Sequence, residues 1–245
     1  MRNLKISIAY NGSAYHGWQR QSNNITLQQT VEETMEKILG SKINANGCSR
    51  TDAGVHAREF FFSAKTENPI PCCSLQRALN ALLPDDIAVL SCEEADEDFH
   101  ARFSAKGKEY VYTINNSGVR DVFSRGLSFF YPYPIDVKRL DDAAKLFVGE
   151  HDFAAFCRAE SKKKLSSTVR TVYSFDVTRA DKNVLFTVSG NGFLHNMVRI
   201  MVGTVIEILS GRIKYTVPEI IEKKDRKAAG RTAPAQGLFL NRVFY

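Results

Sequence analysis

The sequence predicts a mixed α/β protein of two similar halves, and three features support this fold class. Segments with a two-residue hydrophobic period, typical of strands, alternate with segments that have the period of an amphipathic helix. Helix-capping residues, glycines and prolines separate these segments. The order of strands and helices up to Ser104 then recurs in the remainder of the chain. We therefore predict an N-terminal half over residues 1–104 and a C-terminal half over residues 105–245, whose sheets together form one surface with a cleft.

The N-terminal half begins with a half-buried strand, because apolar Leu4, Ile6 and Ile8 alternate with more polar residues. A polar loop follows, and Thr26 with Gln29 has the spacing of a capping box at the start of a helix. The remaining elements expected here are a helix end at Gly40, a strand near 43–48, an extended segment at 60–63, a helix capped by Ser74, and a strand at 87–92.

The C-terminal half follows the same plan. Its predicted elements are a strand around 110–115, a helix from about 136 to 149, strands on either side of 179–183, a helix in HNMVRIMVGTVIEIL, a shorter helix opened by Thr216 and Pro218, and the final strand GLFLNRVFY.

Composition limits the class of protein and of partner. The chain has 33 Lys and Arg against 27 Asp and Glu, a net charge of +6, which favours a polyanionic partner without identifying it. Five cysteines without a CxxC pair argue against a disulfide framework or a thiolate zinc site, so we expect reduced, mostly buried thiols. No signal peptide and no run of about 20 apolar residues is present, which predicts a cytoplasmic protein.

The segment RTDAGVHA, residues 50–57, is the most informative for chemistry. If the preceding strand continues to Asp52, Arg50 and Asp52 point to the same side, and the arginine favours the ionised carboxylate and fixes its orientation. The alternative to a catalytic role is that Arg50 and Asp52 form a salt bridge within a turn. An aspartic protease needs a second copy of such a loop, and the sequence has none. The spacing of His56 to other ligand types does not suit a metal, so we expect it to support the loop.

Several motifs in order resemble the tRNA pseudouridine synthase A family. They are AYNGSAYHGWQRQ, ITLQQTVE, RTDAGVHA, FHARFSAKGKEYVY, GEHDFAAFCR, GNGFLHNMVRIMVGTVIEI and GLFL, and they cover almost the whole chain. The resemblance implies two ferredoxin-like (RRM-like) halves with a continuous, mostly antiparallel sheet, a homodimer, and an isomerase that needs no cofactor or metal. It also implies that the enzyme converts uridine to pseudouridine at positions 38, 39 and 40 in the anticodon stem-loop of tRNA.

The resemblance also assigns residues to the site. Asp52 is the essential carboxylate, which attacks the ribose or the base or removes a sugar proton, and Arg50 positions it. Tyr110, on one strand face with Tyr112 and Ile114, receives the base. Arg199 pairs with the aspartate in the family and lies four residues after His195, on what we predict to be one helical face. Leu238, in GLFL, matches an apolar residue that packs at the active site in the family, and burial in the core is the alternative.

Further basic residues are candidates for phosphate contacts. They are Arg20, Arg58, Arg102, Lys106, Lys108, Arg158 and the predicted loop 162–164. The chain also departs from the common family pattern at Ser49 and at Arg58, Glu59 and Phe60, which leaves open a different RNA target. A non-catalytic RNA-binding module and a pseudouridine synthase for another RNA site are the two alternatives to the main interpretation.

Overall fold

The computed structural model of the chain describes residues 1–162 and 165–245. These residues form two compact units: unit 1 comprises Met1–Lys106 with Phe239–Tyr245, and unit 2 comprises Gly107–Leu238. The predicted mixed α/β class, with mostly antiparallel sheets flanked by helices, is confirmed. The last strand was expected in the C-terminal half, but most of it belongs to unit 1 because it pairs with a strand there.

The strands and helices follow one another in this order along the chain: β1 (Arg2–Tyr10), α1 (Leu27–Leu39), β2 (Asn46–Gly47), β3 (His56–Thr66), α2 (Cys72–Leu82), β4 (Ile87–Ala95), β5 (Gly107–Asn115), β6 (Phe129–Phe130), α3 (Val137–Lys145), β7 (Gly149–Asp152), α4 (Ala159–Lys162), β8 (Val169–Ala180), β9 (Asn183–Gly190), α5 (Met197–Leu209), α6 (Val217–Lys223) and β10 (Leu238–Phe244). Short 3₁₀ helices occur at Gly12–Ala14, Phe153–Phe156 and Ala235–Gly237.

The sheet of unit 1 has the ferredoxin-like arrangement that the resemblance implies. Its strand order is β4, β1, β3 and β10, and β2 pairs with β3. The strand β1 is antiparallel to both β3 and β4, whereas β10 runs parallel to β3. The order strand, helix, two strands, helix, strand, with the first strand between the third and the fourth, is that of the βαββαβ motif.

The first strand is more buried than its hydrophobic period predicts. Leu4, Ile6 and Ile8 are fully buried, as expected for one face of a strand. On the other face Ser7 is buried too, and its hydroxyl forms a 2.6 Å hydrogen bond with the hydroxyl of Ser91 on β4. The prediction of a strand is confirmed, but burial of only one of its faces was wrong.

Some of the observed helix ends match the predicted capping residues and others do not. Thr26 accepts a hydrogen bond from the Gln29 N–H at 3.4 Å, but the Gln29 amide donates to Glu33, so only half of the expected capping box forms. Gly40 ends α1 in the left-handed conformation, with φ of 71°, as predicted. The prediction that Ser74 caps α2 was wrong, because the helix begins at Cys72.

Two further expectations about element lengths and thiols need correction. The strand expected near 43–48 contains only Asn46–Gly47, and the helix expected to reach Gly149 ends at Lys145. All five cysteines are free thiols. Two of them are buried, two are half-buried and Cys73 is exposed, so "mostly buried" overstated their burial.

Unit 2 repeats the first five elements of unit 1. The elements β5, α3, β8, β9 and α5 succeed one another as β1, α1, β2, β3 and α2 do, and β9 lies between β5 and β8. All three pairings along β5, β9, β8 and β7 are antiparallel. The helix α3 packs on β8 and against α5, over a core of fully buried phenylalanines at 147, 153, 156, 175 and 186. The predicted repeat is therefore confirmed, with β6 and β7 as additions.

Candidate active site

Asp52 begins a tight turn that directly precedes β3. The N–H of Val55 donates to the carbonyl of Asp52 at 3.1 Å, and Gly54 within this turn has φ of +75°, a conformation that favours glycine. The strand begins only at His56. The preceding strand, β2, already ends at Gly47, so the expected continuation of that strand to Asp52 was wrong. The reason for expecting Arg50 and Asp52 to point to the same side therefore does not apply.

Arg50 and Asp52 differ in their surroundings. Asp52 is half-buried, whereas Arg50 is exposed. Within the described ranges Arg50 forms neither an ion pair nor a side-chain hydrogen bond, so the expected Arg50–Asp52 contact is not formed. Asp52 thus sits on a fixed backbone turn while Arg50 remains available for a partner outside the protein.

Backbone hydrogen bonds from the loop after β1 hold the Asp52 turn on both sides. The N–H of Trp18 donates to the carbonyl of Thr51 at 3.2 Å, and the N–H of Gly54 donates to the carbonyl of Tyr15 at 3.2 Å. The hydroxyls of Tyr10 and Thr51 form a buried 2.8 Å hydrogen bond. Thr51, directly before Asp52, and Gly54, two positions after it, are therefore both hydrogen-bonded to the same loop.

Two glycines of this loop permit that close approach. A Cβ on Gly12 would lie 1.9 Å from the carbonyl oxygen of Val55, and one on Gly17 would lie 2.4 Å from that of Thr51. The N–H of Gly12 also donates to Nδ1 of buried His56 at 3.0 Å, which confirms that His56 supports the loop. Sequence reasoning missed the positioning role of this loop, although its two glycines were a signal for it.

Aromatic packing anchors the loop to the core of unit 1. Trp18 is 2% exposed, and its ring centroid lies 4.2 Å from that of Phe60. The Tyr15 hydroxyl donates to Asp86 at 2.6 Å. Burial, reinforced by the Asp86 carboxylate, raises the pKa of Tyr15 well above its ordinary value, so this hydroxyl stays a donor. The loop, and with it the Asp52 turn, is consequently rigid.

In unit 2, Tyr110 lies on β5 as predicted. Its side chain is buried, and its ring meets the ring of Phe193 edge-on with centroids 5.3 Å apart. Tyr112 and Ile114 follow at alternate positions of the strand and are fully buried. Leu238, the first residue of β10, is also buried.

Arg199 and Tyr112 are both tied to the segment that precedes β10. Nε of Arg199 donates to the Ala233 carbonyl at 2.8 Å, and the Ala233 N–H donates to the Arg199 carbonyl at 3.1 Å. The Tyr112 hydroxyl donates to the Pro234 carbonyl at 2.8 Å. Burial raises the pKa of Tyr112, although the nearby charge of Arg199 acts in the opposite direction. This hydroxyl therefore remains protonated and keeps its hydrogen bond.

Close packing on α5 fixes the same segment. A Cβ on Gly203 would lie 1.9 Å from the Arg231 carbonyl oxygen, and the Gly230 N–H donates to the Thr204 hydroxyl at 2.8 Å. The guanidinium of Arg226 donates to the Gly230 carbonyl at 2.9 Å. Residues 229–234 thus follow α5 closely, and this contact sets the position of the Arg199 side chain.

The helical pairing of His195 with Arg199 was wrong. Asn196 has φ of 63°, in the left-handed region, so α5 begins only at Met197 and His195 lies outside the helix. His195 is exposed, and its Nδ1 forms a 2.5 Å hydrogen bond with the Ser161 hydroxyl. Its ring is therefore held by a contact with Ser161 of α4.

Comparison with known proteins gives the family. A family model described as tRNA pseudouridine synthase matches residues 6–104 and 143–245. This chain belongs to that family. Each of three relatives called tRNA pseudouridine synthase A aligns over the full length of both chains. They come from Acetivibrio thermocellus, Caldicellulosiruptor bescii and Clostridium acetobutylicum, with 45%, 42% and 43% identity.

Membership in the tRNA pseudouridine synthase family confirms the predicted enzyme class, an isomerase. A solved structure of the archaeal box H/ACA sRNP Nop10-Cbf5 complex also matches, at 13% identity and a TM-score of 0.38, over 82% of this chain and 41% of that one. No described helix has the length and hydropathy needed to cross a bilayer, and no group of three metal-ligating side chains occurs in the same residues.

Among the basic residues predicted to contact phosphate, two form ion pairs within this pseudouridine synthase family member. Arg20 pairs with buried Glu32 at 2.9 Å, and Arg158 pairs with Glu160 at 2.7 Å. By contrast, Arg58 is exposed, and its guanidinium carbon lies 5.5 Å from the centroid of the Phe239 ring.

Arg102 likewise is exposed and lies over the ring of Phe103. Lys106 is exposed and Lys108 is half-buried. The predicted loop 162–164 needs correction at Lys162, which ends α4 and donates to the Lys224 carbonyl at 3.3 Å. Residues 163 and 164 lie outside the described residues.

Proposed function

We propose that this chain converts uridine to pseudouridine at positions 38, 39 and 40 in the anticodon stem-loop of tRNA, with Asp52 as the essential carboxylate. The observation that carries the proposal is the packing of the glycine-containing loop around the Asp52 turn, since it presents a half-buried carboxylate on a fixed backbone. Catalytic groups need such pre-positioning. Membership in the family supports the reaction type.

The reaction is an isomerisation in which atoms and electrons balance within the nucleotide and water. The bond from uracil N1 to ribose C1′ breaks, the base turns, and a bond from C5 to C1′ forms. The proton of C5 leaves to solvent and N1 gains one, so no oxidant or reductant is needed. A carboxylate at Asp52 is suited to attack the ribose, to attack the base or to remove a sugar proton.

The other assigned residues receive the nucleotide. Because the target uridine leaves its stack to be handled, its base needs a flat and partly apolar surface. Tyr110 supplies an aromatic ring, worth about 1–3 kcal/mol if a base stacks on it, and Leu238 supplies an apolar contact. Arg199, whose side chain is held by the Ala233 carbonyl, supplies positive charge, and exposed Arg50 is suited to a phosphate or to the reacting carboxylate.

Mapping pseudouridine in tRNA from cells with and without the gene tests this proposal. We expect loss at positions 38, 39 and 40 and restoration by the reintroduced gene, while pseudouridines elsewhere in the same tRNAs serve as the internal control. Loss at another RNA position would instead identify a synthase for a different site. Unchanged pseudouridine throughout would favour the non-catalytic RNA-binding module.

We also propose that the protein acts in the cytoplasm as a homodimer, as the family resemblance implies. Sedimentation of the purified protein over a range of concentrations tests the dimer. A single species with the 27.5 kDa mass of one chain at every concentration would contradict it.

A further inference from the structure

A column of three side chains stands beside the Asp52 turn on unit 1. The strands β3 and β10 pair in parallel so that Phe239 lies next to His56, and the two rings stack with centroids 4.6 Å apart. Arg58 follows His56 by two positions and shares its face of β3. The guanidinium carbon of Arg58 lies 5.5 Å from the centroid of the Phe239 ring. The Phe239 ring therefore contacts both the His56 ring and the Arg58 guanidinium.

The base of this column is rigid. His56 is fully buried, and its Nδ1 accepts the hydrogen bond from the Gly12 N–H. It is also the first residue of β3 and follows the Asp52 turn directly. Because the Arg58 guanidinium lies against the Phe239 ring and that ring stacks on His56, these contacts help to position the guanidinium relative to the start of the strand.

The Arg58 guanidinium has no carboxylate or hydrogen-bond acceptor as a partner within the described part of the protein. The side chain is exposed, and among residues 1–162 and 165–245 it forms no ion pair or hydrogen bond. The neighbouring carboxylate of Glu59 points to the opposite face and accepts the Val243 N–H at 3.2 Å. Arg20 and Arg158, by contrast, are paired with glutamates.

We propose that Arg58, stacked on Phe239, binds a backbone phosphate of the tRNA beside the target uridine and so helps to set which nucleotide reaches Asp52. The inference rests on the proposed function and names one RNA contact of that site. A guanidinium presents a planar fork of N–H donors that matches two phosphate oxygens. Stacking has already restricted its rotation, so binding costs less entropy than it would for a free arginine.

The test measures tRNA binding across a salt series and steady-state kinetics with the full-length protein. For Arg58→Ala we expect about tenfold weaker binding, a salt slope smaller by about one ion, and a KM increase that exceeds any fall in kcat. Arg58→Lys keeps the charge without the planar fork and should keep the slope while losing part of the affinity. Phe239→Leu removes the stacking platform and should resemble Arg58→Lys.

Lys65→Ala is the matched control. Lys65 is exposed near the other end of β3, so this variant removes one positive charge from the same strand and should leave binding and activity unchanged. Urea unfolding shows whether each variant is folded.

Wild-type affinity and slope in Arg58→Ala, or equal losses in Arg58→Ala and Lys65→Ala, would overturn the inference. So would a fall in kcat at unchanged KM. Absence of pseudouridine formation by the wild type would instead contradict the proposed function, whereas the binding series would still show whether the phosphate contact exists.

Discussion

The backbone N–H of Gly54 donates a hydrogen bond to the carbonyl of Tyr15 at 3.2 Å, and this bond joins the Asp52 turn to a loop almost forty residues earlier in the sequence. The Trp18 N–H makes the corresponding bond to Thr51 on the other side of Asp52. The position of the carboxylate therefore depends on a segment that carries no catalytic group itself. Changes in that loop should affect chemistry as well as stability.

The first prediction compares two glycines that both have positive φ. Gly17→Ala should lower pseudouridine formation by about a hundredfold, because a Cβ there meets the Thr51 carbonyl at 2.4 Å and displaces the residue before Asp52. Gly40→Ala is the control, since φ at Gly40 is +71° but no atom lies within 4 Å of the added Cβ.

Both glycine variants should lose about 1–2 kcal/mol of unfolding free energy from the left-handed conformation, and Gly17→Ala should lose more through the clash. Urea unfolding and tritium release from uridine C5 measure the two effects. Equal stability and equal activity in the two variants would show that the loop does not position the turn.

A second prediction concerns the attachment of β5 to the segment before β10. Tyr112→Phe should reduce the free energy of unfolding by about 1–3 kcal/mol, because the Pro234 carbonyl loses its 2.8 Å donor at a buried position. The raised pKa of Tyr112 means that the wild-type hydroxyl stays protonated, so the loss should be the same at pH 6 and pH 9.

Denaturation of wild type and Tyr112→Phe at the two pH values tests the hydrogen bond. Tyr131→Phe is a suitable control, because Tyr131 is only half-buried. Equal unfolding free energies of wild type and Tyr112→Phe at both pH values would mean that the hydrogen bond to Pro234 does not stabilise the fold.

The order of elements could be predicted because local patterns determine it. Alternation over Leu4, Ile6 and Ile8 gives a strand in almost any mixed sheet. The short helix α6 is capped as predicted by Thr216, whose N–H and hydroxyl both donate to the Glu219 carboxylate. Such signals involve residues that are close in sequence, so the elements they mark can be predicted from the sequence alone.

The parts that were wrong depend on contacts distant in sequence or on single backbone angles. The reversal at Asp52 uses the positive φ of Gly54, and its position depends on the loop that contains Gly12 and Gly17, which no local pattern connects to it. His195 leaves the predicted helix because Asn196 alone adopts a left-handed conformation. The residue types of the site could be predicted through the family resemblance, but the geometry that holds them could not.

A third prediction tests the ring of Tyr110. Tyr110→Leu should reduce kcat much more than tRNA affinity, because one stacking contact of about 1–3 kcal/mol is small beside the sum of phosphate contacts. Tyr110→Phe keeps the ring and its edge-on contact with Phe193, and it therefore separates the ring from the hydroxyl.

Single-turnover kinetics and filter binding with the same tRNA measure the effects of the Tyr110 variants. Normal turnover by Tyr110→Leu would assign the residue to the core, in keeping with its burial, and would remove it from the reaction.

A fourth prediction concerns the Asp52 carboxylate, which we propose takes part in the chemistry. Asp52→Asn keeps the shape of the side chain and most of its hydrogen-bonding capacity, while it removes the charge and the nucleophilicity. Turnover should therefore disappear. Affinity for tRNA should persist or increase, because a negative charge near phosphates is lost.

The direct measurement uses tRNA labelled with tritium at uridine C5, from which isomerisation must release the label into water. Wild type and Asp52→Asn are incubated with this tRNA, and binding is measured in parallel. We predict release by the wild type and none by the variant, with tRNA binding retained in both. Release by Asp52→Asn at the wild-type rate would contradict the account and remove Asp52 from the mechanism.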